Sequence, residues 1–418
     1  MPASPSTARA INDRLALRLL QQEGPLTAAR LKQLTGLSRP TVADLVERLA
    51  AAGLIEVTGE SGEQRRGPNA RLYGIVADRA YLAALDVRTE GVSVLVSDLV
   101  GRVLAEASVP IGDDTGTGPA VEQAVALVER AAKEAGTDRL HTVGIGAPGL
   151  IDPASGELRD STGLPAWHRR LVAALQERFP KARVSVENET NLAALAEQRD
   201  GAARDRDTFA LLWLGLGIGA AVVLDGTLRR GASGGAGEIG FLPVPGTSGL
   251  PSATDCAGGF HSLAGAAAVV GLAAEHGLTA RAAGREREAA ALVREAVRLA
   301  DGERPGAAGG EDGRPSVVTG PAPGPGAGRF LDALAGRVAL GAAAVVSVLD
   351  PGCVVLAGEV GRAGGDALAA RVRDRLARMS PLATEVRPSA LGGGAVLRGA
   401  LLTARDRAQD ELFAPQER

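Results

Sequence analysis

Aromatic side chains are scarce: phenylalanine, tryptophan and tyrosine together make up 2% of the 418 residues. Apolar cores must therefore be assembled largely from alanine, valine and leucine. Cysteine is almost absent, with only Cys256 and Cys353. Two thiols exclude a disulfide framework and cannot by themselves hold a metal, which suits a reducing compartment. The opening stretch MPASPSTARAINDRLAL lacks the apolar core of a secretion signal, and no segment reads as a membrane span. A cytoplasmic chain with no membrane partner is the expectation. The remaining composition, 45% hydrophobic and 23% charged, is that of a globular protein with length for two or three domains.

The net charge of −3 is unevenly spread. Residues 1–80 hold 11 Lys/Arg against 8 Asp/Glu, and the remainder holds 35 against 41. A basic front and an acidic back direct any anionic polymer partner to the front.

The front has the punctuation of three helices. Ile11, Leu15 and Leu19 recur at four-residue spacing and predict one apolar helical face. Gly24-Pro25 stops that helix, Thr27 can cap a second, and Gly36 closes it. Ser38 can cap a third, with Pro40 tolerated in its first turn. On that third helix Val42, Leu45, Val46 and Leu49 share one face, while Thr41, Asp44 and Arg48 share the other. The short connection between the second and third helices fits a helix-turn-helix, whose later helix enters the major groove. LIEVTG and RLYGI then predict a two-stranded wing with Arg65 and Arg66 at its tip, in reach of phosphates. A plain helical bundle with a solvated face is the competing reading; the series of turn, cap and arginine-tipped hairpin favours DNA. Ser38, Arg39, Thr41 and Arg48 are the base-facing candidates, and Asp44 either accepts from a base or orients Arg48.

Behind residue 77 the pattern changes. Residues 81–109 read as three antiparallel strands, and 209–231 repeat the scheme: strand, glycine-rich turn, strand, Asp-Gly turn. This duplication predicts two similar α/β lobes facing across a cleft. HTVGIGAPGLID adds a buried strand, and helices are expected at 119–135, 166–178 and 190–203. Residues 301–327, rich in Gly and Pro, read as a flexible surface insertion. A buried helix and the strand in PGCVVLAGEV follow.

The ordered series GIGAPGLID, VENETN, GLGIGA, GAGEIGF and LDPGCVVLAGEV resembles the ROK family (repressor, open reading frame, kinase) over nearly the whole chain. The resemblance implies an α/β fold class: an N-terminal winged helix-turn-helix, residues 1–77, followed by a two-lobed actin-like/ribonuclease H-like sugar-kinase fold, residues 78–418. Lobe 1 is expected at about 78–187 plus the C-terminal helix, and lobe 2 at about 188–395.

The family's kinases need glycine-bearing hairpins that let backbone N–H groups reach phosphates, and a carboxylate that accepts a sugar proton. Here the first hairpin keeps Asp86 but puts Arg88 and Thr89 where glycines belong. The second reads Gly215-Leu216-Gly217, with leucine in place of threonine. Glu189 stands at the position of the family's catalytic aspartate; one added methylene shifts the acid by about 1 Å, enough to cost on the order of 10²-fold. No catalytic residue is therefore assigned. Asn188, Glu189 and Glu238 match sugar-contacting positions, and His261 lies near another. The histidine expected after Glu238 is Phe241, and of the zinc loop's cysteines only Cys256 remains. Too few ligands survive for tetrahedral zinc, so neither zinc nor ATP is expected as a cofactor.

The resemblance thus implies a sugar-responsive transcriptional regulator, most readily a repressor, with an operator, a sugar effector and a second copy of itself as partners, as dimer or tetramer. Two alternatives stay open: an active sugar kinase carrying a DNA-binding arm, and a ligand-independent regulator whose rear domain only dimerises.

Overall fold

The computed structural model describes residues 5–61, 70–112, 114–152, 154–159, 164–252, 254–279, 285–301 and 325–414. The front forms α1 (Pro5–Glu23), β1 (Leu26–Thr27), α2 (Ala28–Thr35), α3 (Arg39–Ala51), β2 (Ile55–Glu60) and β3 (Arg71–Ile75). The sheet here has three strands in the order β1-β3-β2, one more than the sequence suggested. Leu26 and Thr27 pair with Tyr73 and Leu72 because Gly24-Pro25 turns the chain back along the wing. The expected wing tip with Arg65 and Arg66 lies outside the described residues.

One helical face is corrected. On α1 the buried residues are Ala16, Leu17 and Leu20, while Ile11 and Leu15 stand 57% and 38% exposed. The four-residue spacing was real, but a second apolar line on the same helix is the one that packs. Val42, Leu45, Val46 and Leu49 of α3 are buried as the periodicity predicts. Each such side chain stabilises the module by about 1.5–3 kcal/mol relative to exposure.

The rear begins with β4 (Tyr81–Arg88), β5 (Gly91–Asp98), β6 (Val103–Pro110), α4 (Thr117–Glu134), β7 (Thr142–Ala147), α5 (Trp167–Arg178) and β8 (Arg183–Asn188). It continues with α6 (Glu189–Asp200), β9 (Phe209–Leu214), β10 (Ile218–Leu224), β11 (Thr227–Arg229), α7 (His261–Ala264), α8 (Ala266–Glu275) and α9 (Arg285–Ala300). It ends with α10 (Pro325–Leu349), β12 (Cys353–Ala357), α11 (Gly358–Leu376), β13 (Glu385–Pro388) and α12 (Ala395–Leu412). The two rear sheets run β6-β5-β4-β7-β8 and β11-β10-β9-β12-β13. Each places its third, second, first, fourth and fifth strands in that order, so the duplication read from the sequence is a duplication of topology. In the second sheet the hairpin β9-β10-β11 is antiparallel and β12 joins β9 and β13 in parallel. The Asp225-Gly226 turn has positive φ at both residues, as a type I′ hairpin requires.

Contacts divide the chain into two compact units. The first comprises Met1–Ile145, Arg170–Ser185 and Ala400–Arg418, and the second Gly146–Arg169 and Val186–Gly399. These limits differ from the expected ones at two places. Residues 146–169 group with the second unit, where Leu150 packs near Gly235. The front module groups with the first unit, where Gln21 Nε2 donates to the Val100 carbonyl at 3.1 Å. Gln409 Nε2 on α12 donates both to Gln21 Oε1 (2.7 Å) and to the Leu99 carbonyl (3.1 Å).

The second unit's core gathers Phe260, Phe330, Leu331, Leu334, Val338 and Leu356. Phe260 lies directly on Gly341 of α10, where any Cβ would collide with its ring. Helix α10 is long and apolar enough by composition to cross a membrane, contrary to the sequence reading, and half of its apolar window is buried in this core. It starts at Pro325, inside the segment expected to be an insertion; residues 302–324 lie outside the described residues.

Candidate functional site

Two groups of candidate residues arise, one in each unit. In the front module Thr27 Oγ1 accepts from the Arg30 N–H (3.2 Å), Gly36 closes α2 with φ +71°, and Ser38 Oγ accepts from the Thr41 N–H (3.3 Å). These caps fix the α2–turn–α3 geometry and leave the start of α3 facing solvent. Ser38 and Arg39 are exposed, and Arg39 has no ion pair among the described residues. Thr41 Oγ1 is 2.8 Å from Ser38 Oγ, so both hydroxyls serve the cap as well as the surface.

Arg48 is placed differently from its neighbours. Its guanidinium binds Asp13 of α1 at 2.6 Å and pairs with Asp44 one turn earlier on α3. Between the open roles for Asp44, the structure shows it holding Arg48. The two carboxylates raise the arginine's already high pKa, chiefly through the Asp13 hydrogen bond. Arg48 thereby fastens α3 to α1.

The second group is built around the N-terminus of α6. Asn188 is its cap: Oδ1 accepts from the N–H groups of Thr190 (2.9 Å) and Asn191 (3.2 Å). Its Nδ2 donates to the Gly149 carbonyl (3.0 Å) and to Glu189 Oε2 (3.1 Å). Glu189 thus sits in the first turn, where a helix dipole favours a negative charge. Glu187, which the motif reading passed over, organises this corner. Its Oε1 accepts from the Asn188 N–H and from Asn191 Nδ2, each at 3.0 Å, and its Oε2 accepts from Arg230 Nε at 2.7 Å. A carboxylate immediately before a helix cap was the available signal.

Glu238 and Leu150 are both close to Gly235. Gly235 lies between them: a Cβ there would be 3.5 Å from Leu150 Cδ2 and 3.6 Å from Glu238 Cγ. Gly237 has φ +94° and lies so close to β10 that a Cβ would overlap the Ala220 carbonyl, so only glycine lets the Glu238 turn be strapped there. Ala220 N–H donates to the Gly237 carbonyl at 2.7 Å, completing the strap. Glu238 stays open to solvent, yet the atoms around it desolvate its carboxyl and raise its pKa. His261 follows across Gly240, 3.6 Å from that glycine's Cβ position, and burial lowers its pKa. Asn188 reaches Gly149, Leu150 and Glu238 both lie beside Gly235, and His261 lies beside Gly240, all within the second unit. Phe241 follows Glu238 in the chain and is 36% exposed.

At the two turns where the resemblance expects glycine-bearing hairpins, this chain carries other side chains. In the first unit Asp86 is 5% exposed, and Arg88 from the same strand grips it. Arg88 Nε lies 3.0 and 3.2 Å from the two carboxylate oxygens, and its Nη2 lies 3.0 Å from Oδ2. In the second unit the Gly215–Gly217 turn closes through a Gly215 N–H to Gly217 carbonyl bond of 3.2 Å, and Leu216 projects from its tip at 44% exposure. An isobutyl group offers no hydroxyl to a phosphate. The loop after Phe241 offers Cys256 and His261, and no cluster of three or more His, Cys, Asp or Glu suited to a metal exists among the described residues. That loop is closed by its own polar groups. Asp255 Oδ1 accepts from the Ala257 N–H, Cys256 O accepts from the Gly259 N–H, and Phe260 N–H reaches back to Leu242 O.

Comparison with known proteins supplies the context for both groups. Residues 11–67 match the MarR family and residues 82–407 the ROK family. A xylose repressor of Caldicellulosiruptor bescii is 27% identical over 238 residues, which span 56% of this chain and 59% of that protein. The solved structure of a ROK family transcriptional regulator, a homologue of the E. coli MLC protein, superposes with a TM-score of 0.72 over 97% of this chain and 98% of that one. Its 20% identity makes this a likeness of fold. A ROK hexokinase from Thermus thermophilus, 28% identical, superposes with a TM-score of 0.57 over 79% of this chain and 99% of its own. With the family model matched along the greater part of its length, and with a winged helix-turn-helix in front of an actin-like sugar-kinase fold, the chain belongs to the ROK family.

Proposed function

We propose that this protein is a sugar-responsive, operator-binding repressor whose kinase-type domain senses a sugar and no longer phosphorylates it. The observation that carries the sensor reading is the Arg88–Asp86 clamp. A guanidinium from the chain itself takes the carboxylate that a phosphate hairpin would present, and it stands where that hairpin needs a bare backbone. The sugar is held by Asn188, Glu189 and Glu238, with His261 and the Phe241 ring beside them. None of these contacts requires ATP. At the front, the exposed start of α3 enters a major groove, with Ser38, Arg39 and Thr41 nearest the base edges and the wing arginines Arg65 and Arg66 on phosphates. A palindromic operator and a dimeric protein follow from this mode of binding, and the cytoplasm is its compartment. The sugar alters operator affinity because it binds one conformation of the protein better than another.

The test is selection of binding sites from a random-sequence DNA pool by the purified protein, followed by release with a panel of monosaccharides. Enrichment of a palindromic site and its release by one sugar class are expected; no enrichment would overturn the reading. In a coupled assay with Mg-ATP and hexoses, turnover reaching about 1 s⁻¹, as kinases show, would establish the enzyme instead. Independence from zinc predicts an unchanged melting temperature after exhaustive chelation.

A further inference from the structure

The segment that delivers Glu238 is mostly glycine. Between Arg230 and Glu238 the chain reads GASGGAG, four glycines in seven residues, and Gly231, Gly234 and Gly237 have positive φ. Glycine gives up more backbone freedom on ordering than any other residue, so such a loop needs fastening. Its position sets that of Glu238, because a Cβ on Gly235 would lie 3.6 Å from Glu238 Cγ. One end of the loop is strapped to β10 through Gly237 and Ala220. At the other end the Arg230 carbonyl accepts from the Ala236 N–H at 3.1 Å and closes the loop's base. The Arg230 side chain then leaves the loop and donates from Nε to Glu187 Oε2 at 2.7 Å. Glu187 is the fixed partner, its side chain 13% exposed against 47% for Arg230. Its Oε1 holds the Asn188 N–H and Asn191 Nδ2 at the start of α6. All of these residues lie in the second unit.

We infer that Arg230 is a positioning residue of the sugar site: its pairing with Glu187 fixes the glycine loop to the start of α6 and so places Glu238 relative to Asn188 and Glu189. Arg230 acts through Glu238 and touches no sugar itself. The Asn188 side needs no such help, since its amide is already committed to the α6 cap and to the Gly149 carbonyl. Binding then profits from a loop that is ordered before the ligand arrives. The inference rests on the sugar reading of this site. An ion pair without a positioning role would touch stability alone, and only slightly.

Titration calorimetry of the full chain with uncharged hexoses and pentoses tests it. Glu187→Gln keeps an oxygen for Asn188 and Asn191 but turns an amide nitrogen toward Arg230, so it breaks this pair alone. Arg230→Met breaks it from the other side and keeps the aliphatic stem. Each variant weakens sugar binding by roughly fivefold or more, and the double variant by no more than either, because both remove one interaction. Arg230→Lys recovers most of the affinity, since an ammonium donates to the same oxygen. In Glu238→Ala chains, titrated at the higher sugar concentrations they need, Arg230→Met has no further effect. Amide exchange quickens at Ala236 in both single variants and is unchanged along α6. Wild-type affinity in either single variant, additive losses, or an undiminished loss in Glu238→Ala chains overturns the inference and leaves the sugar reading standing. No binding by the wild-type chain overturns both.

Discussion

Glu197 illustrates how much a single buried group can hold. It is 0% exposed at the end of α6, and it accepts from Ser389 Oγ (2.5 Å) and from the N–H groups of Ala202 (2.6 Å), Leu391 (3.0 Å) and Ala390 (3.2 Å). Glu197→Ala strands these donors and is expected to cost about 3 kcal/mol or more in chemical denaturation, with Glu197→Gln less harmful because one acceptor remains. Glu238 provides a test of ligand contact. Desolvation raises its pKa, so its neutral form is favoured in the folded state. The folded state gains stability as pH falls from the raised value to the ordinary one, and loses that gain as pH rises again. Sugar binding that uses the carboxylate as acceptor runs the other way, weakening as pH drops through the raised value. Binding measured from pH 4 to 7 should show that loss, and Glu238→Gln should flatten it.

Among the elements, α3 separates surface from scaffold. Arg39→Ala should leave the melting temperature unchanged and weaken operator binding by about ten- to a hundredfold, the range for one base contact. Arg48→Ala should instead lower stability by about 1 kcal/mol, as loss of a partly exposed ion pair does, and Asp13→Asn should reproduce it. The sequence showed which face of α3 is buried, because four apolar residues recur at helical spacing. It could not show that Arg48 turns back, since Asp13 is 35 positions away and only the packing of α1 brings it close. Nor could spacing choose between two apolar lines on α1, both of which fit a helical period. Of the carried-over positions, Asn188 and Glu189 touch each other at the start of α6, and Glu238 and His261 flank Gly240 in the same unit. The pairing of Glu187 with Arg230 was illegible because it spans 43 residues.

For the molecule as a whole, the repeated strand order of the two sheets was legible from one duplicated pattern of strand, glycine turn and Asp-Gly turn. The division into units was not, because it depends on chain segments that leave a sheet and return, as 146–169 do. The same discontinuity gives the Gln21–Gln409 bond a meaning for biosynthesis. Its two side chains lie 388 positions apart, so α1 emerges from the ribosome long before its anchor exists. Of the two contacts of Gln21, the one with the Val100 carbonyl can form early, while the one with Gln409 waits until α12 has been made. Prematurely terminated products would keep the Val100 contact of the front module and lose the one to α12.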